Sequence, residues 1–179
     1  MKIETDRLII VPWENTTRDA EALYNWAKNP NVGPKAGWKP HESIEESMNI
    51  INNIFIPVGA FKIILKDKKQ VIGNIGFEPD VHREGISSME MGYALDESYW
   101  NNGYMTEAVK AMIDYAFDEL GLDVLSIQTN IVNKASQKVI EKVGFTYEGF
   151  RRKSSVDFDG TVRDVNMYSM LREEWQKIK

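Results

Sequence analysis

Short strand-like runs of apolar residues, one of which alternates with small and polar residues, predict the strands of this chain. They cover Arg7–Pro12, Ala60–Lys66, Val71–Phe77, Ser88–Leu95, Val124–Thr129 and, as part of a closing hairpin, Gly160–Leu171. The spacer Asp67-Lys68-Lys69-Gln70 between the second and third strands suits a hairpin turn. In the strand Ser88–Leu95 one face is large and apolar, whereas the other carries small residues and the carboxylate of Glu90.

Apolar residues at helical spacing predict helices between these strands. One helix contains Ala22 to Ala27, one starts at Ser43 with Glu46 in a capping box, one runs from about Met105 to Gly121, and one covers Lys134–Val143. Glycine, proline and polar residues predict loops over Asn31–Glu42, Pro79–Ser87 and Asp96–Gly103. This order of elements indicates one mixed α/β domain over residues 1–179.

The composition is that of an ordinary folded domain, with 42% hydrophobic and 27% charged residues. Cysteine is absent and the histidines, His41 and His82, lie far apart, so neither a disulfide nor a usual zinc site is expected. The net charge of -5 argues against a nucleic-acid binder that depends on a basic surface. No apolar stretch approaches the ~18 residues of a membrane span. The opening residues lack a secretory signal, so we expect a cytoplasmic protein.

The segment Tyr99–Ala108 follows a strand and opens a helix, where unpaired backbone N–H groups favour an anion. Gly103 allows a phosphate to approach the backbone, Asn101 and Asn102 tolerate left-handed turns, and Thr106 adds a hydroxyl donor. A plain glycine turn with a helix cap explains the same residues equally well.

Glu90 is the second candidate, because a partly desolvated carboxylate has a raised pKa and acts as a general base. The alternative is that Glu90 is solvated or pairs with a cation. The third candidate is the helix start at Asn133 and Ser136, whose amide and hydroxyl groups suit a ligand. Simple N-capping by Asn133 explains that pair without any function.

Together these residues resemble the GNAT N-acetyltransferases, and in particular their ribosomal-protein-alanine branch. The resemblance runs nearly from end to end. Its motifs, in chain order, are Thr5-Asp6-Arg7-Leu8, Ile72-Gly73-Asn74-Ile75-Gly76-Phe77, Glu90-Met91-Gly92-Tyr93, Tyr99-Trp100, Gly103-Tyr104-Met105-Thr106-Glu107-Ala108, Asn133-Lys134-Ala135-Ser136, Glu141-Lys142-Val143-Gly144-Phe145 and Met167-Tyr168-Ser169-Met170-Leu171-Arg172-Glu173-Glu174-Trp175. The resemblance implies the GNAT fold, a single mixed central β-sheet flanked by helices on both faces.

The resemblance also implies acetyl-CoA as cosubstrate, with no metal. The pyrophosphate would lie on the backbone amides of Asn101, Asn102, Gly103, Tyr104, Met105 and Thr106. The pantetheine arm would follow the strand containing Met91, Tyr93 and Leu95. The family pattern Q/R-x-x-G-x-G/A reads Trp100-Asn101-Asn102-Gly103-Tyr104-Met105 here, and Met105 in the last position implies tighter packing that affects cofactor affinity.

The implied reaction is direct transfer of an acetyl group to a primary amine. Glu90 would be the general base, and a backbone N–H at or near Met91 would meet the thioester oxygen. The tyrosine that many members use to protonate the departing thiolate is replaced by Ile140. In this branch the resemblance implies Ser136 as the replacement, either as general acid or as a cofactor contact, with Asn133 holding the pantetheine or the thiol. Departure of the thiolate without an acid is the alternative.

The resemblance makes a protein N-terminal α-amine of the ribosomal-protein type the first expectation for the acceptor. The alternative acceptors are a polyamine and an aminoglycoside. The alternative to an enzyme is a non-catalytic acyl-CoA sensor. Trp38 and His41 are the candidate acceptor contacts, although Trp38 also suits a loop anchor. The apolar ending Val165–Leu171 is compatible with a buried strand and with a strand shared in the homodimer that we favour.

Overall fold

The computed structural model describes residues 1–179 and contains a mixed sheet. Its strands are β1 (Ile3–Glu4), β2 (Leu8–Pro12), β3 (Phe61–Leu65), β4 (Gln70–Pro79), β5 (Ser88–Leu95), β6 (Val124–Asn130), β7 (Thr146–Val156) and β8 (Val162–Leu171). The eight strands hydrogen-bond in the order β1-β2-β3-β4-β5-β6-β8-β7. β5 and β6 run parallel, with Glu90 opposite Ser126, whereas β8 is antiparallel to both β6 and β7. The predicted α/β fold is confirmed.

Four of the helices follow one another between β2 and β3, and the others lie after β5, β6 and β8. In chain order the helices are α1 (Thr17–Ala27), α2 (Gly33–Ala36), α3 (Ile44–Ile50), α4 (Ile56–Val58), α5 (Tyr104–Asp118), α6 (Lys134–Lys142) and α7 (Arg172–Ile178). A π-helical segment, Ile51–Phe55, joins α3 to α4, and a 3₁₀ turn, Glu97–Tyr99, precedes α5. None of the helices combines the length and the apolar character needed to cross a bilayer.

The chain divides into two compact units. The first contains residues 1–76 and 93–108, and the second contains residues 77–92 and 109–179. β4, β5 and α5 each continue from one unit into the other. The expectation of a single domain over the whole chain stays a prediction.

In the first unit, α1 and α3 enclose an apolar cluster. Its buried members are Trp13, Ala20, Leu23, Trp26, Ala27, Val32, Ile51 and Ala60. Thr16 caps α1 by accepting the Asp19 N–H at 3.1 Å, and Ser43 caps α3 by accepting the Glu46 N–H at 3.1 Å. The Glu46 carboxylate accepts the N–H of Glu42 rather than that of Ser43, so the return bond of the predicted capping box is shifted by one residue.

In the second unit, the apolar stripe that predicted α5 is buried. Phe117 is fully buried and its ring stacks on Trp175 of α7, with 5.2 Å between the centroids. Leu125 of β6, Ile140 of α6 and Met170 of β8 are also fully buried. All three side chains belong to the buried core of this unit.

Several elements are missing from the prediction. α2 lies within Asn31–Glu42, which we expected to be a loop, because Pro34 is tolerated in a first helical turn and Gly37 (φ 97°) ends it. β7 faces solvent at most of its positions, and α7 buries Trp175 alone, so neither has a clear apolar period. α2 thus depends on its own proline and glycine, whereas β7 is held by its pairing with β8.

Candidate functional site

The turn before α5 has the backbone geometry of an anion site. Asn101 (φ 61°) and Gly103 (φ 78°) both have left-handed conformations. The first helical hydrogen bond runs from the Glu107 N–H to the Gly103 carbonyl at 3.0 Å. The N–H groups of Tyr104, Met105 and Thr106 therefore have no partner within the helix and lie at its positive end.

Side chains of the same segment hold this turn in place. The Asn102 amide donates to the Trp100 carbonyl at 2.8 Å, and the Trp100 indole N–H donates to the Leu95 carbonyl at 2.8 Å. Met105 is buried, with 6% of its surface exposed, so its side chain belongs to the core and not to the outer surface of the turn. The prediction that Met105 changes cofactor affinity stays a prediction.

Arg7 and Thr5, to which the sequence assigned no role, contact this turn through Glu107. Thr5 Oγ1 donates to Glu107 Oε1 at 2.5 Å, and Arg7 Nε donates to Glu107 Oε2 at 2.7 Å. Burial disfavours the charged carboxylate, but these bonds and the Arg7 N–H outweigh it and lower the pKa of Glu107. Residues 5 and 107 are too far apart in sequence for any local pattern to reveal the contact.

Glu90 lies in the second unit, half-buried on the small-residue face of β5. Burial raises the pKa of its carboxyl group, the charges of Asp80 and Glu78 raise it further, and a hydrogen bond with Gln128 and the charge of Arg151 oppose them. A carboxylate with a raised pKa is a better proton acceptor than an ordinary one. Glu90 is thus a partly desolvated carboxylate, and its role as general base stays a prediction.

The two faces of β5 differ as the sequence predicts. Met91 and Leu95 are 2% and 8% exposed, so these residues have only their backbone available to a ligand on the opposite face. Tyr93 is half-buried. Gly92 follows Glu90 on the small-residue face and is exposed, and a Cβ built there meets no atom within 4 Å. The strand therefore has room for a chain-like ligand beside Gly92.

A buried carboxylate, Asp80, fixes the loop that follows β4. Its oxygens accept the His82 N–H at 3.0 Å, Arg83 Nη1 at 2.6 Å and Ser126 Oγ at 3.0 Å. Burial raises the pKa of Asp80, but the three donors outweigh it, so the net shift is downward and Asp80 stays ionised. Ser126 is the cross-strand partner of Glu90, which places this network beside the candidate base.

The start of α6 is an N-cap, as the simpler interpretation predicts. Asn133 Oδ1 accepts the Ser136 N–H at 3.1 Å. Gln137 adds a bond from its amide to the Ile131 carbonyl at 2.9 Å. Ser136 is half-buried. Ile140 is fully buried and has no hydroxyl group that could protonate a thiolate. The cofactor role of Asn133 and the catalytic role of Ser136 stay predictions.

Trp38 and His41 lie close together in the first unit, with 5.2 Å between their ring centroids. His41 is 8% exposed, its Nδ1 hydrogen-bonds Ser47 Oγ at 2.8 Å, and burial lowers its pKa. Trp38 packs edge-on against Trp26 and closely against Gly33. Both side chains therefore anchor their loop, and their contact with an acceptor stays a prediction.

Comparison with known proteins gives the family. The model of the Acetyltransferase (GNAT) domain matches residues 7–146. Among curated relatives, "Uncharacterized N-acetyltransferase YoaA" of Bacillus subtilis (strain 168) is 33% identical over 178 residues, 95% of this chain and 96% of that protein.

Two further relatives align over about half of this chain. "FsC-acetyl coenzyme A-N(2)-transacetylase" of Aspergillus fumigatus is 34% identical over 91 residues, 50% of this chain and 39% of that protein. "Putative ribosomal N-acetyltransferase YdaF" of B. subtilis is 33% identical over 87 residues, 49% of this chain and 47% of that protein.

Solved structures have the same fold. The crystal structure of a GNAT-family acetyltransferase from Bacillus anthracis gives a TM-score of 0.84 at 27% identity and covers 97% of this chain and 100% of that one. The ribosomal-protein-S5-alanine acetyltransferase from Vibrio fischeri gives 0.76 at 21% identity, with 98% of each chain covered, and matches in fold. GNAT acetyltransferases use acetyl-CoA. With a family model that covers most of its length, this chain belongs to the GNAT acetyltransferases and is an acetyl-transferring enzyme.

Proposed function

We propose that this enzyme transfers the acetyl group of acetyl-CoA to a protein N-terminal α-amine of the ribosomal-protein type, in the cytoplasm. The observation that carries the proposal is the half-buried carboxylate of Glu90, with its raised pKa, next to the open position at Gly92. A base is what the acceptor requires, since an α-amine titrates near 8 and a lysine amine near 10.4, so both arrive protonated at neutral pH.

The residues of the turn before α5 fit the pyrophosphate of CoA. The left-handed residues Asn101 and Gly103 leave the backbone accessible, and the N–H groups from Tyr104 to Thr106 supply donors at a helix N-terminus. On β5, the backbone from Met91 to Leu95 would hold the pantetheine arm. Bound acetyl-CoA supplies an activated thioester.

Glu90 would accept the ammonium proton of the acceptor, directly or through one water molecule. The Gln128 bond orients the carboxylate, and burial keeps its pKa closer to neutral pH than that of an exposed glutamate. A backbone N–H at or near Met91 would stabilise the negative charge on the thioester oxygen. Direct attack of the amine on the thioester thus needs two groups from this chain, a base for the amine and a hydrogen-bond donor for the thioester oxygen.

Asn133 and Ser136 would act on the sulfur. Ser136 is half-buried in the first turn of α6, where its hydroxyl would donate a proton to the departing thiolate and Asn133 would hold the pantetheine. A thiol has a pKa near 8.5 and leaves without much assistance at neutral pH. The contribution of Ser136 is therefore smaller than that of Glu90.

The YdaF relative supports a ribosomal-protein acceptor, because its name assigns it to that class. The second candidate is a small-molecule amine, such as a polyamine or aminoglycoside, because the half-buried carboxylate of Glu90 would serve that acceptor as well. We propose Trp38 and His41, whose rings lie next to each other, as the acceptor contacts. A homodimer stays our expectation for the assembly.

The test is the release of CoA thiol from acetyl-CoA with N-terminal peptides of ribosomal proteins and, in parallel, with polyamines and aminoglycosides. Peptide-dependent release is the expected result. Release with small amines alone would assign the second candidate. No release with any amine, combined with stabilisation of about 2.7 kcal/mol by acetyl-CoA at a hundredfold excess over its Kd, would indicate a non-catalytic acyl-CoA sensor.

A further inference from the structure

The turn before α5 has no cationic side chain of its own. Between Asp96 and Val109 the sequence contains neither lysine nor arginine, whereas it contains the acidic residues Glu97 and Glu107. Glu107 lies one turn into α5, and its lowered pKa keeps it ionised. An unpaired carboxylate at this position repels a phosphate and offsets the attraction of the helix N-terminus.

Arg7 brings a positive charge to this turn from the start of β2. Its Nε donates to Glu107 Oε2 at 2.7 Å, and its backbone N–H donates to Glu107 Oε1 at 2.9 Å. Its Nη1 donates to the Asn102 carbonyl at 3.0 Å, and its guanidinium lies 4.4 Å from the centre of the Tyr104 ring. One side chain therefore contacts both sides of Gly103.

The third guanidinium nitrogen faces Gly103 itself. Arg7 Nη2 lies 3.5 Å from the position that a Cβ on Gly103 would take. The planar guanidinium thus fixes the carbonyl of Asn102 and neutralises Glu107 while its positive charge stays next to the turn. The Arg7 side chain is 46% exposed and that of Glu107 is 18% exposed. Because Glu107 also accepts bonds from Thr5 Oγ1 and from the Arg7 backbone N–H, which do not depend on the guanidinium, removing the guanidinium costs the fold little stability.

We propose that Arg7 is a positioning residue for the CoA pyrophosphate, acting through Asn102 and Glu107 to keep the Asn101–Gly103 turn ready for the anion. This inference rests on the proposed function, because it requires CoA as the ligand. A guanidinium suits these contacts better than an ammonium, because Nε and Nη1 of one rigid planar group reach Glu107 and the Asn102 carbonyl together.

The test compares the Kd for CoA, measured by isothermal titration calorimetry, among the unsubstituted enzyme, Arg7→Ala, Arg7→Lys and the control Lys2→Ala. Lys2 forms its ion pair with Glu4 in the same N-terminal segment. We expect Arg7→Ala to raise the Kd about tenfold or more, because the Asn102 carbonyl loses its bond to the guanidinium and the Glu107 carboxylate loses the cation that neutralises it beside the anion. Arg7→Lys should restore part of the affinity, and Lys2→Ala should leave it unchanged.

A steady-state readout separates positioning from a general loosening of the fold. Arg7→Ala should raise the KM for acetyl-CoA by a similar factor while kcat at saturation and the Tm of the free enzyme stay near their original values. A Kd within twofold of the original, or an equal rise in Lys2→Ala, would overturn the inference. Absence of CoA binding by the unsubstituted enzyme would instead refute the proposed function, and the inference with it.

Discussion

Replacing Glu90 with glutamine removes the proposed base while it keeps the shape of the side chain. The amide is isosteric with the carboxylate and can still hydrogen-bond Gln128 across β5 and β6. Because Glu90 is half-buried and burial disfavours its charge, glutamine removes an unfavourable charged group. At pH 7 we therefore expect the Tm to stay the same or to rise slightly, and CoA affinity to stay unchanged.

The expected loss is in turnover. A positioned general base contributes about a hundredfold to ten-thousandfold to a rate, and we expect Glu90→Gln to lower kcat/KM for the amine by a factor in that range. The loss falls on kcat, because the carboxylate acts on the proton that leaves during attack and makes no contact on which cofactor binding depends.

The pH dependence gives a further test with a defined sign. Protonated Glu90 is as inactive as glutamine, so the ratio of the original rate to the Glu90→Gln rate falls as the pH drops through the pKa of Glu90. Since that pKa is raised above the ordinary glutamate value, the fall occurs at a higher pH than an exposed glutamate would give. The ratio cancels the titration of the acceptor amine, which both enzymes share.

The assay is initial-rate CoA release at a series of pH values with saturating acetyl-CoA. An unchanged rate in Glu90→Gln would remove Glu90 from its role as the base. A rate ratio that does not vary with pH would show that Glu90 acts through its shape or polarity and not through proton transfer.

Three further predictions concern the rest of the site. Ser136→Ala should lower kcat less than Glu90→Gln does, and a larger loss would make Ser136 the more important group. Gly92→Ala has room for its Cβ, so this variant should keep its Tm while its KM for acetyl-CoA rises. Gly73→Ala places a Cβ 2.5 Å from the Ala94 carbonyl oxygen and should lower the free energy of unfolding by about 1–3 kcal/mol. Equal melting temperatures for the two variants would contradict this prediction. Asp80→Asn weakens the bond to Arg83 and should lower the free energy of unfolding by about 2 kcal/mol near neutral pH. Because the pKa of Asp80 is lowered, its contribution is present above the unfolded pKa and disappears as the pH falls through the folded one. Urea denaturation of the original protein and of Asp80→Asn, each at pH 7 and at pH 3, measures this contribution. A difference in the free energy of unfolding between the two proteins that is the same at both pH values would refute the expected pH dependence.

Local patterns predict the central elements because the side chains there follow a simple period. β5 runs over Ser88–Leu95 as predicted, since its alternation reflects one buried face. α5 follows its buried apolar stripe, and Asn133 caps α6 because its side chain bonds within the same turn. The left-handed turn at Gly103 could be predicted from its glycine and asparagine residues, and the small-residue face around Glu90 from the alternation of β5.

Contacts between distant residues could not be predicted in this way. Arg7 reaches Asn102 and Glu107 only because the fold brings β2 next to the turn before α5. Asp80, at the start of the loop that follows β4, accepts a hydrogen bond from Ser126 of β6, which lies 46 residues further along the chain. No spacing in the sequence encodes either contact, although both decide the charge around a candidate site.

The site of acetylation on a peptide tests the central claim most directly. The substrate is an N-terminal ribosomal-protein peptide with a free α-amine and one internal lysine, incubated with acetyl-CoA and analysed by fragment mass spectrometry. We predict one acetyl group on the α-amine, one CoA released for each, and loss of both in Glu90→Gln. Acetylation of the lysine alone, or no acetylation by an enzyme that still binds acetyl-CoA, would contradict the account.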